Sequence, residues 1–72
     1  MNMSCKIKLR DGNSIEVKEF VCIEHPNKTD GIVKIEIKDL DILKLNDEVT
    51  YTFFGSNIVK VRGEDIVYLD FN

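Results

Sequence analysis

Apolar and polar positions alternate with a period of two along most of the chain, the pattern of strands with one buried face. Cys5, Ile7 and Leu9 alternate with Lys6, Lys8 and Arg10, which predicts a first strand. Asp11-Gly12-Asn13 then turns the chain, because Gly and Asn tolerate positive φ at little steric cost. Ile15 and Val17 resume the alternation opposite Leu9 and Ile7, which sets Lys8 across from Glu16. Beyond Val17 the phase breaks: Phe20 and Cys22 compete with Val21 and Ile23. A bulge near Lys18-Glu19 accounts for the break and bends a long second strand.

The segment Glu24-His25-Pro26-Asn27-Lys28-Thr29-Asp30-Gly31 reads as an exposed loop, with Pro, Asn and Gly as breakers. A third strand follows, with Val33, Ile35 and Ile37 inward and Lys34, Glu36 and Lys38 outward. The irregular spacing of Leu40, Ile42, Leu43 and Leu45 predicts a short helical turn near residues 39–45, capped by Asp39 or Asp41 and packed over one end of the core. From Val49 onward the pattern predicts a three-stranded meander, joined by Gly55-Ser56-Asn57 and Gly63-Glu64-Asp65. Its register places Phe53 opposite Val59, Tyr51 opposite Val61, Val61 opposite Val67 and Val59 opposite Leu69. The inner face then collects Val49, Tyr51, Phe53, Val59, Val61, Val67, Leu69 and Phe71. The outer face carries Thr50, Thr52, Phe54, Ile58, Lys60, Arg62, Ile66, Tyr68 and Asp70. The expected fold is all-β: one domain over residues 1–72, a small bent-strand barrel of about six strands with one helical turn.

Composition points the same way. Ile and Val are abundant, and the 72 residues include no Ala, the best helix former. Heavy use of Lys, Ile, Asn and Asp with little Arg suggests an AT-rich coding genome, such as that of a low-GC bacterium or its phage. No apolar run reaches the ~20 residues that span a bilayer. Lys6, Lys8 and Arg10 break up any apolar signal segment, so a cytoplasmic location is expected, with Cys5 and Cys22 reduced. The net charge is −3, and residues 1–38 hold seven basic against six acidic side chains. That balance is far from the strongly basic total of a dedicated nucleic-acid binder.

Candidate chemistry is sparse. Phe54, Ile58, Ile66 and Tyr68 are large apolar side chains on a face expected to meet water, with Lys60 and Arg62 among them. A patch of this kind is either a partner-binding surface or a second core layer covered by the helical turn or a loop. Lys6, Lys8, Arg10, Lys18, Lys34 and Lys38 form a basic outer face on the first three strands, but no aromatic side chain is there to stack a base. Cys22-x-x-His25 with Cys5 is half of a metal motif, whereas a structural zinc site takes four ligands. Two core thiols and a loop histidine explain those residues better. Nucleotide loops and nucleophile–base arrangements are missing, so no catalytic residue, metal or cofactor is expected.

Leu9-Arg10-Asp11-Gly12 and Val61-Arg62-Gly63-Glu64-Asp65-Ile66-Val67-Tyr68-Leu69 together resemble the two signature segments of Sm-like proteins, in the same order. The resemblance implies a strongly bent SH3-like barrel that binds single-stranded RNA, with Arg62 and Gly63 lining the RNA pocket. The Asp and Asn with which that family reads a base have no clear counterpart here. Two functions are therefore expected in competition. One is a non-enzymatic protein-interaction module, binding itself or a protein partner through Phe54, Ile58, Lys60, Arg62, Ile66 and Tyr68, such as a phage-encoded adaptor, inhibitor or structural accessory. The other is an Sm-like RNA binder using Lys6, Lys8, Arg10, Arg62 and Gly63.

Overall fold

The computed structural model describes residues 3–29 and 31–72. The described residues form seven strands: β1 (Cys5–Leu9), β2 (Ser14–Val17), β3 (Cys22–Asn27), β4 (Gly31–Glu36), β5 (Thr50–Phe54), β6 (Ile58–Arg62) and β7 (Ile66–Phe71). Short 3₁₀ turns at Ile37–Ile42 and Gly63–Asp65 follow β4 and β6. The strands make two antiparallel sheets, one in the order β2-β1-β7 and the other β4-β3-β5-β6. Neither sheet closes on itself.

The expected all-β class is what the chain adopts, and the expected break in the second strand is where the sheets part. β2 and β3 are two halves of one bent path, turning at Lys18–Val21, where Glu19 takes a positive φ of 53°. The facing sides of the sheets meet in a single core. Cys5, Ile7 and Val17 come from the first sheet, Ile23, Tyr51, Phe53 and Val61 from the second, and Phe20 from the corner. Phe20 also meets Phe71 at 5.3 Å between ring centroids. Leu40 and Leu43, from the 3₁₀ turn and the residue after it, pack on the same cluster, as expected of a segment covering one end. The two ends of the chain are stitched together, since Ser4 and Asn72 exchange backbone hydrogen bonds of 3.0 Å in both directions.

Several details differ from the sequence reading. The β1–β2 register is Cys5 with Val17 and Ile7 with Ile15, two residues away from expectation, because Leu9 N–H closes the turn on Asn13 C=O. The faces are unchanged, but the acid across from Lys6, not Lys8, is Glu16. The segment expected as a loop is mostly a hairpin: β3 pairs with β4 from Cys22–Glu36 out to Asn27–Gly31, while Asp30 lies outside the described residues. Pro26 is tolerated in β3 because β5 flanks that strand only as far as Glu24, leaving Pro26 at an edge-like position. The helical turn begins earlier than expected, at Ile37, which removes Ile37 from the strand and leaves it 43% exposed. Glu36 occupies its N-cap with no side-chain cap bond, so neither Asp39 nor Asp41 caps it.

The largest correction concerns the final three strands. β5 and β6 pair as expected, Tyr51 with Val61 and Phe53 with Val59. β7 does not continue that sheet. The 3₁₀ turn carries it across to β1, where Ile7 faces Leu69 and Cys5 faces Phe71. An irregularity between Lys8 and Leu9 sets Leu9 against Ile66 and shifts the phase of β7 at its start. Ile66 therefore points into the core and is 4% exposed, while Val67 points out at 52%.

Candidate functional site

Cross-strand partners share a face, so the register fixes what the outside of the four-stranded sheet presents. One row runs Ile58–Phe54–Cys22–Glu36 and the next runs Lys60–Thr52–Glu24–Lys34. Arg62 beside Thr50 and Ile32 beside Pro26 complete the face. Of the six residues expected to form a partner patch, Phe54, Ile58, Lys60 and Arg62 do share this face. Ile66 is buried, and Tyr68 lies on the other sheet beside Lys8. The apolar patch is thus smaller than the sequence suggested: Ile58 is 65% exposed, Phe54 is half-buried, and Val21 at the corner is exposed, with its N–H donating to Phe54 C=O.

The basic face separates into unrelated pieces. Lys6 sits between Glu16 and Asp70, and Lys8 donates to Gly12 C=O at 2.9 Å. Lys34 belongs to the other sheet, and Lys38 pairs with Glu36 at 3.7 Å. Alternating charges on a solvated sheet account for these side chains.

Arg10 and Arg62, by contrast, are brought together. Arg62 Nε pairs with the Glu64 carboxylate at 2.9 Å, and Arg10 Nε donates to the Glu64 backbone carbonyl. Both line a cleft of about 370 Å³ with Leu9, Asp11, Ile15, Lys60, Val61 and Asp65. Sequence named Arg10 and Arg62 as candidate RNA contacts but not that they share a cleft, because its walls come from β1, β2 and β6, and only the folded topology makes them neighbours. Gly63, next in sequence to Arg62, is a packing residue: a Cβ there would run into the Asn46 carbonyl, and its N–H donates to Val49 C=O at 2.7 Å.

Cys22 and His25 stand on opposite faces of β3, as an odd spacing in a strand requires. Cys22 follows Phe54 outward, whereas His25 turns inward against the Tyr51 ring at 5.2 Å. Among the described residues no group of three or more His, Cys, Asp or Glu side chains could hold a metal ion. Both cysteines are free and buried. Burial, with a smaller contribution from Asp70, pushes the Cys5 thiol from 9.0 up to about 12. Burial also raises the Cys22 thiol, opposed by Lys34 and reinforced by Glu24 and Glu36. Both are protonated at neutral pH, which makes them poor nucleophiles and poor metal ligands. Among the described residues no helix is long and apolar enough to cross a membrane. No protein-family model, curated protein or solved structure matches this chain.

Proposed function

We propose that the chain is a non-enzymatic, cytoplasmic protein-interaction module that docks through the outer face of its four-stranded sheet onto a protein partner, a further copy of itself included. The observation that carries this reading is the pair Ile58–Phe54, exposed at Ile58 and half-buried at Phe54, continued by the exposed Val21 and sharing its face with Lys60 and Arg62. Large apolar side chains with a charged border are the usual make-up of a protein contact. A chain this short has a marginal core, so burial shared with a partner adds stability it lacks alone. The path β7-β1-β2, bending into β3-β5-β6, supports a small bent-barrel (SH3-like or Sm-like) reading of the fold, with the β3–β4 hairpin projecting from it.

A second reading, RNA binding, is favoured by the meeting of Arg10 and Arg62 at one cleft. Asp11, Asp65 and Glu64 crowd the same place and oppose a phosphate backbone. Native mass measurement separates the two readings, using wild type and the Phe54→Ser/Ile58→Ser double variant, with and without a single-stranded RNA oligonucleotide. The interaction reading expects complexes that the double variant loses while its unfolding curve is unchanged, and no RNA adduct. RNA adducts that weaken steeply with added salt would replace it with the second reading.

A further inference from the structure

Among the described residues β6 pairs only with β5, and β2 only with β1, so each presents one edge without a paired strand, and the two edges flank the cleft. Alternation in an antiparallel ladder shows which backbone groups face the opening. Gly63 N–H bonds to Val49 C=O and Gly55 N–H to Asn57 C=O, which puts the odd-numbered residues of β6 toward β5. The N–H and C=O groups of Ile58, Lys60 and Arg62 therefore face outward along the free edge. On the β2 side, Leu9 N–H bonds to Asn13 C=O, which turns Ser14 and Glu16 toward the opening. The opening is pinned at both ends. Arg10 N–H donates to Asp65 C=O at 3.0 Å, and the Asn57 side chain reaches Glu16 C=O at 3.4 Å. Between the pins the floor is Leu9, Ile15 and Val61.

We infer that the free edge of β6 accepts an added β-strand from a partner whose sequence alternates acidic and apolar residues. Backbone pairing would supply the affinity and the alternating side chains the choice of partner, as in other strand-addition contacts. The guest's inward side chains would cover the floor of the cleft. Its outward ones would lie opposite Ile58, Lys60 and Arg62, so carboxylates are the complementary choice. Lys60 occupies the middle of the edge. Antiparallel pairing of two β6 edges centred there would set Lys60 against Lys60, which disfavours a second copy of the chain as the occupant. Of the other charged groups lining the cleft, Asp11 and Asp65 lie with Arg10 at the pinned end, and the Asp11 carboxylate is engaged by Asn13. Arg62 already has Glu64 as a partner, so Lys60 is the main selector of charge.

This inference rests on the interaction-module reading but not on its outer-face contact, and the two can fail separately. The test is fluorescence anisotropy with three labelled synthetic peptides and the whole chain. One alternates Glu and Val, one alternates Lys and Val, and one is the Glu–Val peptide N-methylated at alternate residues. The Glu–Val peptide is expected to bind, with the other two weaker by about tenfold or more. Lys60→Glu, a change at an exposed strand position, should reverse the preference between Glu and Lys. Equal binding of the first two peptides, indifference to N-methylation, or no binding up to about 1 mM would overturn the inference. So would a concentration-dependent dimer that Lys60→Glu alters. If the peptides fail but Phe54→Ser/Ile58→Ser still abolishes a native complex, only the strand-addition inference falls.

Discussion

The hydroxyl of Tyr51 accepts a hydrogen bond from the backbone N–H of Asn46 at 2.8 Å, tying a core aromatic to the loop that precedes its own strand. The same hydroxyl donates to the Lys44 carbonyl at 3.3 Å, so one buried side chain fixes the path from the first 3₁₀ turn into β5. Tyr51→Phe keeps the ring and strands both loop groups. It should destabilise the chain by about 1–2 kcal/mol. The check is urea unfolding, with a lower midpoint and an unchanged slope.

Gly12 and Gly63 should tolerate alanine poorly for different reasons. Gly12 has φ of 96° and open space where a Cβ would go, so Gly12→Ala meets only backbone strain, about 1–2 kcal/mol. At Gly63 the obstacle is the Asn46 carbonyl, a backbone group that cannot swing aside like a side chain. Gly63→Ala should cost about 3 kcal/mol, the upper end for overpacking. Unfolding of the two variants side by side tests this. A fully stable Gly63→Ala protein would refute this packing role.

Stability should fall at alkaline pH because of Cys5. Its thiol ionises near 9.0 when unfolded and near 12 when folded. Below pH 9 both states hold the proton and Cys5 adds no pH dependence. Above it the unfolded chain releases a proton that the folded chain keeps, so stability declines from pH 9 toward 12. Urea midpoints at pH 7, 9 and 10.5 should show this decline in wild type and a shallower one in Cys5→Val. Equal slopes would refute it.

Ile66 and Val67 are neighbours of similar chemistry and opposite placement, 4% against 52% exposed. Ile66→Ala should destabilise by about 2–4 kcal/mol. Val67→Ala should stay within about 0.5 kcal/mol. Strict alternation through β6 and β7 gives the reverse ranking, so this pair of unfolding curves tests the crossover of β7 directly.

The residues that were legible from sequence and those that were not differ in one physical respect. Tyr51, Phe53, Val59 and Val61 found their partners because a short turn at Gly55-Ser56-Asn57 joins strands adjacent in both sequence and space. The second connection, Gly63-Glu64-Asp65, has the same length and similar residues but is a 3₁₀ turn leading to β1. Local pattern carries no information about which distant edge is vacant. Four of the six patch residues, those on β5 and β6, were therefore recognised, whereas Ile66 and Tyr68 were assigned to the wrong sheet. Arg10 and Arg62 were grouped from sequence by resemblance alone, but the cleft that joins them to Lys60 was not read, since it exists only once β1, β2 and β6 have met.

The pairing of β1 with β7, finished by the exchange between Ser4 and Asn72, also governs how the chain can be made. β1 has β2 beside it in sequence, but its other neighbour is β7, the most distant of the described strands. Closing so large a loop comes late and slowly in folding. Until then Lys6 and Lys8 would border an open sheet edge, an unfinished β-hairpin exposed to unwanted strand pairing. The lifetime of that open edge depends on the closure between β1 and β7 and not on any single turn between them.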